Sequence, residues 1–300
     1  MTKLAFILHA RDKAKHVKVA ARSMLFQECE RPFEVILSDH GSVDGTKEIL
    51  EEQARLYNGP NKARFVQCPH TNIRGMPGLN AHINWTMTQT DADFILQLSA
   101  DDYALPKRVE KVWAAFEEHK PSMALTGMYY VDEEMKYLAE SAHPDKDGWC
   151  ILEEMYPKYI GGSASQAWTH EFFDKIGGLS GVGSQDVVMP FLAVLDKGAY
   201  YLRERLHCYR KCVGLQNTGL QGVLDAVPEG DPRRMQVEEL IHFQVLSGHY
   251  AVLMKMDQAG LRTDEAVYHL VQAILDRSAS WSNVRQKMTL EGVPPTALRA

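Results

Sequence analysis

Glu34-Val35-Ile36-Leu37-Ser38-Asp39-His40-Gly41-Ser42-Val43-Asp44-Gly45-Thr46 and Phe94-Ile95-Leu96-Gln97-Leu98-Ser99-Ala100-Asp101-Asp102 share one design. Each is a short apolar run that stops at carboxylates and passes into turn residues and an amphipathic stretch. Apolar runs of this length, bounded by turn signals, read as buried strands. In an open α/β sheet the carboxyl ends of neighbouring strands line one crevice, where ligands bind. Acids at two such ends suit a divalent cation that holds a phosphorylated ligand. The pair of segments therefore points to an enzyme acting on a nucleotide-linked substrate.

Working outward, Leu4 to His9 reads as a first strand and Lys15 to Gln27 as a helix. Phe33 to Ser38 is a strand, Val43 to Tyr57 a helix, and Arg64 to Gln67 a short third strand. A Gly- and Pro-rich loop, Pro69 to Gly78, precedes a helix over Asn80 to Gln89. Phe94 to Leu98 is the fourth strand, and Pro106 opens a helix that runs to about Glu118. Alternation of this kind implies right-handed crossovers and a mainly parallel sheet flanked by helices. Met123 to Val131 adds a strand, 132 to 165 is loop-rich and polar, Glu171 to Ile176 and Asp186 to Lys197 are helices, and Tyr200 to Leu202 is a strand. Beyond it, Asp231-Pro232 reads as an N-cap followed by Pro at the first helical position. Val237, Ile241, Val245, Val252 and Met256 recur at helical spacing, Gly260 is a C-cap, and Val267, Leu270, Val271, Ile274 and Leu275 mark a second helix. These stripes predict a helical pair packed on the sheet, with an oligomer contact or a membrane-surface face as alternatives. The division expected is 1–219 for the sheet domain and 220–300 for a helical C-terminal extension.

Composition narrows the classes. Charged residues are 24% and apolar ones 45% of 300 residues, which is ordinary for a globular protein. A net charge of −6 argues against DNA as a partner without removing it. No apolar stretch approaches the roughly 20 residues needed to span a bilayer, and Leu4 to Leu8 is too short for the apolar core of a signal peptide. Cysteines at 29, 68, 150, 208 and 212 are odd in number and lack a C-x-x-C pair, which argues for reduced thiols and a cytoplasmic setting. Cys208 and Cys212 beside His207 lack the second ligand pair that a structural zinc needs.

Four blocks in order carry a resemblance to family 2 inverting glycosyltransferases of the GT-A fold, a Rossmann-like sheet. It covers roughly residues 3 to 217. Phe33 to Thr46 is similar to the family's Asp-Asp-Gly-Ser-x-Asp-Gly-Thr segment, with His40 at the second acid. Leu98-Ser99-Ala100-Asp101-Asp102 resembles the acidic metal motif, with Ser99 at an often acidic position. Gly177-Gly178-Leu179 to Gln185-Asp186 is similar to the segment that ends in Glu-Asp and carries the base. His207-Cys208-Tyr209-Arg210-Lys211-Cys212 resembles a Tyr-Arg-x-His segment, with Cys212 at the histidine. The first strand ends His9-Ala10-Arg11, where the family often has Thr-Tyr-Asn.

The resemblance implies a nucleoside diphosphate sugar as donor, UDP-linked, and a hydroxyl acceptor on a glycan, a lipid-linked sugar, a protein or a small molecule. It implies Mn²⁺ or Mg²⁺ as cofactor, held by Asp101 and Asp102, with Ala10, Arg11, Asp39, Asp44, Arg74, Asn80, Asp101, Arg210 and Lys211 on the donor. Asp39 would accept a hydrogen bond from the base, and Asp44 either seats the donor or caps the next helix. Asp186 is the expected catalytic base, since inversion in one displacement needs a carboxylate that takes the acceptor's proton. Gln185 in place of an acid removes a like charge beside it. Trp168 and His170 fit an acceptor-side segment or the core, and Gly161-Gly162-Ser163 an acceptor loop or a plain turn. Departures at His40, Ser99 and Cys212 leave open a second class, a catalytically inactive nucleotide-sugar-binding or scaffold protein.

Overall fold

Leu4–Ala10 forms β1, and every residue in it is buried. The computed structural model describes residues 3–70, 72–73, 75–141, 146–152, 163–181, 185–211 and 227–291. An apolar strand with no solvent face needs a neighbour on each edge. β1 finds them in β2 (Glu34–Asp39) and β4 (Phe94–Ser99), both parallel to it. β3 (Lys62–Gln67) extends this half beyond β2, again parallel. The connections are the helices α1 (Ala14–Leu25), α2 (Thr46–Leu56) and α3 (Gly75–Met87). Side chains alternate across the strand. Phe6 and Leu8 pack with Val17, Met24 and Leu37 in one core, while Ile7 packs with Ile36 and Ile95 in the other.

The second half is built differently. β5 (Tyr103–Ala104), α4 (Arg108–His119), β6 (Met123–Val131), β7 (Tyr137–Glu140) and β8 (Gly148–Trp149) lead to β9 (Gln166–Thr169), α5 (His170–Lys175), α6 (Gln185–Leu195) and β10 (Ala199–Arg210). The sheet order is β3-β2-β1-β4-β9-β6-β10-β5, with β7 on β6 and β8 on β10. β6 and β10 are parallel, but β9 runs antiparallel to both β4 and β6. The mainly parallel sheet expected from the alternation of elements therefore describes the β3-to-β4 half, and the remainder is mixed.

Several elements differ from the expectations. α3 begins at Gly75, inside the stretch read as loop, because Pro77 falls in its first turn, where a missing N–H costs nothing. Pro106 lies before α4 rather than within its first turn. β5 and β9 were not anticipated, since two- and four-residue strands leave little pattern to read. β10 is 12 residues long, far more than Tyr200 to Leu202, because register shifts after Leu202 and Arg205 break its alternation.

The C-terminal hairpin forms as expected. In α7 (Pro232–Ala259) the side chain of Asp231 caps the N-terminus, Pro232 follows, and Gly260 closes the helix at φ +65°. Thr263 caps α8 (Asp264–Leu290). Val252, Met256 and Leu270 are fully buried and join the core that contains Ile7. Val271 and Leu275, placed in the same apolar stripe, are exposed, as are Tyr250, Met254 and Tyr268. The boundary expected at 219/220 lies outside the described residues. Among the described residues, no helix is long and apolar enough to cross a membrane.

Candidate active site

Parallel strands share polarity, so the registers Ala10↔Asp39 and His9↔Ser99 bring the carboxyl ends of β1, β2 and β4 to one edge of the sheet. The two loops that follow β1 and β2 are stitched together there. The amide of Asp12 donates to Ser42 Oγ (2.9 Å), and the amide of Val43 to Asp12 Oδ1 (3.0 Å). The amide of Lys13 donates to Thr46 Oγ1 (2.7 Å), and that of Ala14 to Asp44 Oδ2 (3.0 Å).

This stitching decides what the motif acids do. Asp39 is fully buried, and its carboxylate accepts from the amides of Gly41 (2.9 Å) and Ser42 (3.1 Å). Asp44 accepts from the amide and hydroxyl of Thr46 and from Ala14, so both of its oxygens hold loop backbone or the start of α2. Of the two roles open for Asp44, these bonds favour the cap. Ala10 is buried at the end of β1, and Asn80 is buried in α3. Arg11 reaches across the edge, donating to the carbonyl of Ile73 (2.7 Å) and lying 3.3 Å from His40 Nδ1. Arg74 and Cys212 lie outside the described residues.

Beneath this edge sits a histidine cluster that pattern reading missed. His82 stacks on His40 (4.8 Å between ring centroids) and meets His9 edge-on (4.9 Å). His82 Nε2 lies 2.6 Å from Ser38 Oγ, and His9 Nε2 lies 2.9 Å from Thr86 Oγ1. Burial pushes all three imidazoles down, His9 to about 3. They are therefore neutral near pH 7, and the position of His40 carries no charge where the family pattern has an acid. Strand-end polar residues were the available signal, but nothing in the linear pattern links His82 to His9.

Asp101 and Asp102 part ways. Asp102 turns inward: it is buried, and its Oδ1 accepts from the amide of Arg210 (2.9 Å). Burial, with the adjacent charge of Asp101, pushes its carboxyl well above the usual range. Asp102, expected as the second metal ligand, thus has one carboxylate oxygen engaged by the backbone of β10. Asp101 faces Lys13, with Nζ 2.8 Å from Oδ2 and both side chains largely buried at 14% and 12% exposure. Among the described residues, no three His, Cys, Asp or Glu side chains converge as a metal cluster.

β5 pairs with β10 at Cys208↔Tyr103, which places the acidic motif beside the end of β10. Arg210 is buried there. Its Nε donates to the carbonyl of Asp101 (2.7 Å), and its NH1 to the carbonyl of Glu133. These bonds tie Arg210, expected on the diphosphate, to the motif backbone through Nε and NH1. Lys211 is exposed, with its ammonium 4.6 Å from the centre of the Tyr130 ring. Burial raises the Tyr209 phenol, and the charges of Asp102, Asp101 and Asp186 add to the shift. Asp186 and Asp101, from separate motif blocks, therefore act on one side chain at the end of β10.

Asp186 is half-buried in the first turn of α6. Gln185 points away from it into the core, where its amide donates to Gln166 Oε1 (3.3 Å). The approach to α6 is held by Asn84, a residue the motif pattern did not single out. Its Oδ1 accepts from the amide of Leu179 (2.8 Å), and Gly178, at φ +63°, lies so close that a Cβ there would fall 2.7 Å from it. Trp168 is fully buried against Phe173 (6.0 Å between centroids), which settles it as core rather than as a sugar platform. His170 is half-buried, with Nδ1 3.1 Å from the carbonyl of Ala92. Gly161 and Gly162 lie outside the described residues.

Comparisons with known proteins agree with this geometry. The sequence signature described as Glycosyl transferase family 2 matches residues 7–182. EpsE of Bacillus subtilis (strain 168), described as a glycosyltransferase, is 31% identical over 110 residues. That match covers 36% of this chain and only 37% of EpsE. Among solved structures, S. aureus TarS 1-349 in complex with UDP-GlcNAc superposes with a TM-score of 0.57 at 16% identity, covering 98% of this chain and 82% of that one. The mannosyltransferase PcManGT from Pyrobaculum calidifontis, in complex with GDP-Man and Mn²⁺, superposes with a TM-score of 0.53 at 12% identity, covering 97% and 84%. At these identities the two structures establish the fold alone.

Proposed function

The chain belongs to glycosyl transferase family 2 and is a glycosyltransferase, and from that premise we propose that it moves a sugar from a nucleoside diphosphate sugar, UDP-linked, to a hydroxyl acceptor with inversion. The observation that carries this reading is the shared edge at the carboxyl ends of β1, β2 and β4, with Asp101 following β4 2.8 Å from Lys13. The edge formed by β1, β2 and β4 is the proposed donor side, and the mouth of α6 the proposed acceptor side. The acceptor is left as a hydroxyl on a glycan, a lipid-linked sugar, a protein or a small molecule. The described cysteines are free thiols, which supports a cytoplasmic setting.

Asp186 is the proposed base. As the acceptor oxygen forms its bond to the anomeric carbon, the bond from that carbon to the diphosphate breaks, with the electron pair leaving on the phosphate oxygen. The acceptor's proton passes to the Asp186 carboxylate. Attack from the face opposite the leaving group inverts the anomeric centre.

Asp101 is the proposed ligand of a divalent cation, Mn²⁺ or Mg²⁺. The donor set fits, because hard cations of this kind are commonly held by one or two carboxylates, with the substrate's phosphates and water completing the shell. When bound, such an ion would offset charge developing on the diphosphate. Arg210 and Asp102 hold the backbone from which Asp101 projects.

A panel of nucleotide sugars, assayed for nucleoside diphosphate release with Mn²⁺ and with chelator, tests the reading. Asp186→Asn should lower kcat by roughly 10²- to 10⁴-fold while donor affinity stays within about twofold. Donor binding without release by the wild type would instead favour the inactive binding protein, to which the substitutions at His40 and Ser99 also point. No donor bound or turned over across the panel would remove both.

A further inference from the structure

Lys13 stands two residues beyond Arg11 in the loop after β1, at the N-cap position of α1. Its backbone is fixed by the bond from its amide to Thr46 Oγ1. Its ammonium lies 2.8 Å from Asp101 Oδ2, in a pair that is mostly shielded from water. Asp101 in turn is held from behind by Arg210 Nε on its carbonyl. Neither partner is a loosely waving surface charge, so the pair is a built feature of the site rather than a weak surface bridge.

The carboxylate oxygen that Lys13 contacts is on the same group that the proposed function gives to a divalent cation. Such a cation sits about 2.1 Å from its oxygen ligands. An ammonium at 2.8 Å and a dication on one carboxylate repel each other strongly at low exposure. The repulsion is relieved when an anion lies between them, and a diphosphate is such an anion. We propose that Lys13 is a diphosphate-binding residue that competes with the divalent cation for Asp101 and exchanges that carboxylate for the donor's diphosphate when the cation binds. Through this exchange the leaving group meets two positive centres, one fixed to the chain. The proposal rests on the reading of Asp101 as the site carboxylate.

Competition and simple scaffolding predict opposite outcomes. In Lys13→Met, Asp101 loses its competitor. Mn²⁺ affinity of the protein alone, followed by electron paramagnetic resonance, should rise about tenfold, while UDP affinity at saturating Mn²⁺, followed by calorimetry, should fall about tenfold. Lys13→Arg keeps the charge and should hold UDP within about threefold of wild type. If Lys13 only braces the loop, Mn²⁺ and UDP affinity fall together with the melting temperature, and the proposal is wrong. Unchanged affinities for both probes also overturn it. Should the Met variant not fold, Lys13→Gln, which keeps a polar stem of similar length, is measured in its place under the same criteria. Wild-type protein that binds no nucleoside diphosphate sinks the proposed function itself, whereas wild type that binds UDP beside an indifferent Lys13 variant sinks this inference alone.

Discussion

The donor edge and the C-terminal hairpin solve the same problem, holding a site in place, by different physics. At the donor edge the holding is polar. Asp39, Asp44, Asp102 and Arg210 all bond backbone amides or carbonyls of the loops and strand ends gathered there. At the hairpin it is apolar: Val252, Met256 and Leu270 enter the core beneath the sheet, and one buried lysine, Lys255, reaches the carbonyl of Ile176 (2.9 Å) just before the approach to Asp186. Short-range hydrogen bonds can fix a loop residue by residue. A stripe of side chains can only fix a whole helix, and it does so by area. Most acids of the motif blocks thus hold backbone, whereas Asp101 pairs with a side chain, Lys13.

The largest expected effect breaks the apolar side. Met256→Ala removes a fully buried side chain from the core and should cost about 2–5 kcal/mol of stability, read by urea denaturation. Because the donor edge is stitched locally, UDP affinity of the folded variant should stay within about twofold. A matching loss of UDP affinity would mean that the two regions are not separable.

A smaller effect sharpens the polar side. The folded value for His9 is about 3 against an ordinary 6.5, so between those values the unfolded chain binds the proton first. The stability tied to neutral His9 is complete above about pH 6.5 and is lost as pH falls towards 3. The slope contributed is up to about 1.4 kcal/mol per pH unit, and His82, shifted the same way by burial, adds to it. Unfolding measured from pH 7 to pH 4.5 should show this slope, flatter in His9→Gln. Equal slopes in the two proteins would contradict it.

The smallest effect tests the outer face of the hairpin. Leu275 is exposed on α8, and Leu275→Ser should change stability by less than about 0.5 kcal/mol if that face meets only water. A clear loss of stability that depends on protein concentration would instead show that a second copy covers it.

Much of this architecture was legible in the linear pattern. Strongly apolar runs located β1, β2 and β4, the last two leading into acids, and the Asp231-Pro232 cap and Gly260 located α7, because capping and burial act within a few residues. β5, β9 and most of β10 were not legible. Two-residue pairing and register shifts depend on the strand opposite, and the sequence of one strand does not record its partner. The site divides along the same line. Asp101 and Asp186 could be named as acids at a strand end and a helix start. That Asp102 turns inward, that Arg210 clamps backbone, that Trp168 is core, and that His9, His40 and His82 stack could not.

By itself, then, the sequence determined the family, the crevice-forming strands and the candidate acids, since these follow from hydrophobic runs and local turn chemistry. Only the tertiary structure decided which of those acids bond backbone and that Lys13 stands against Asp101. That choice depends on which backbone groups need a partner once the chain is folded. A carboxylate beside unpaired buried amides is drawn into satisfying them, because leaving them unmet costs more than the bond returns.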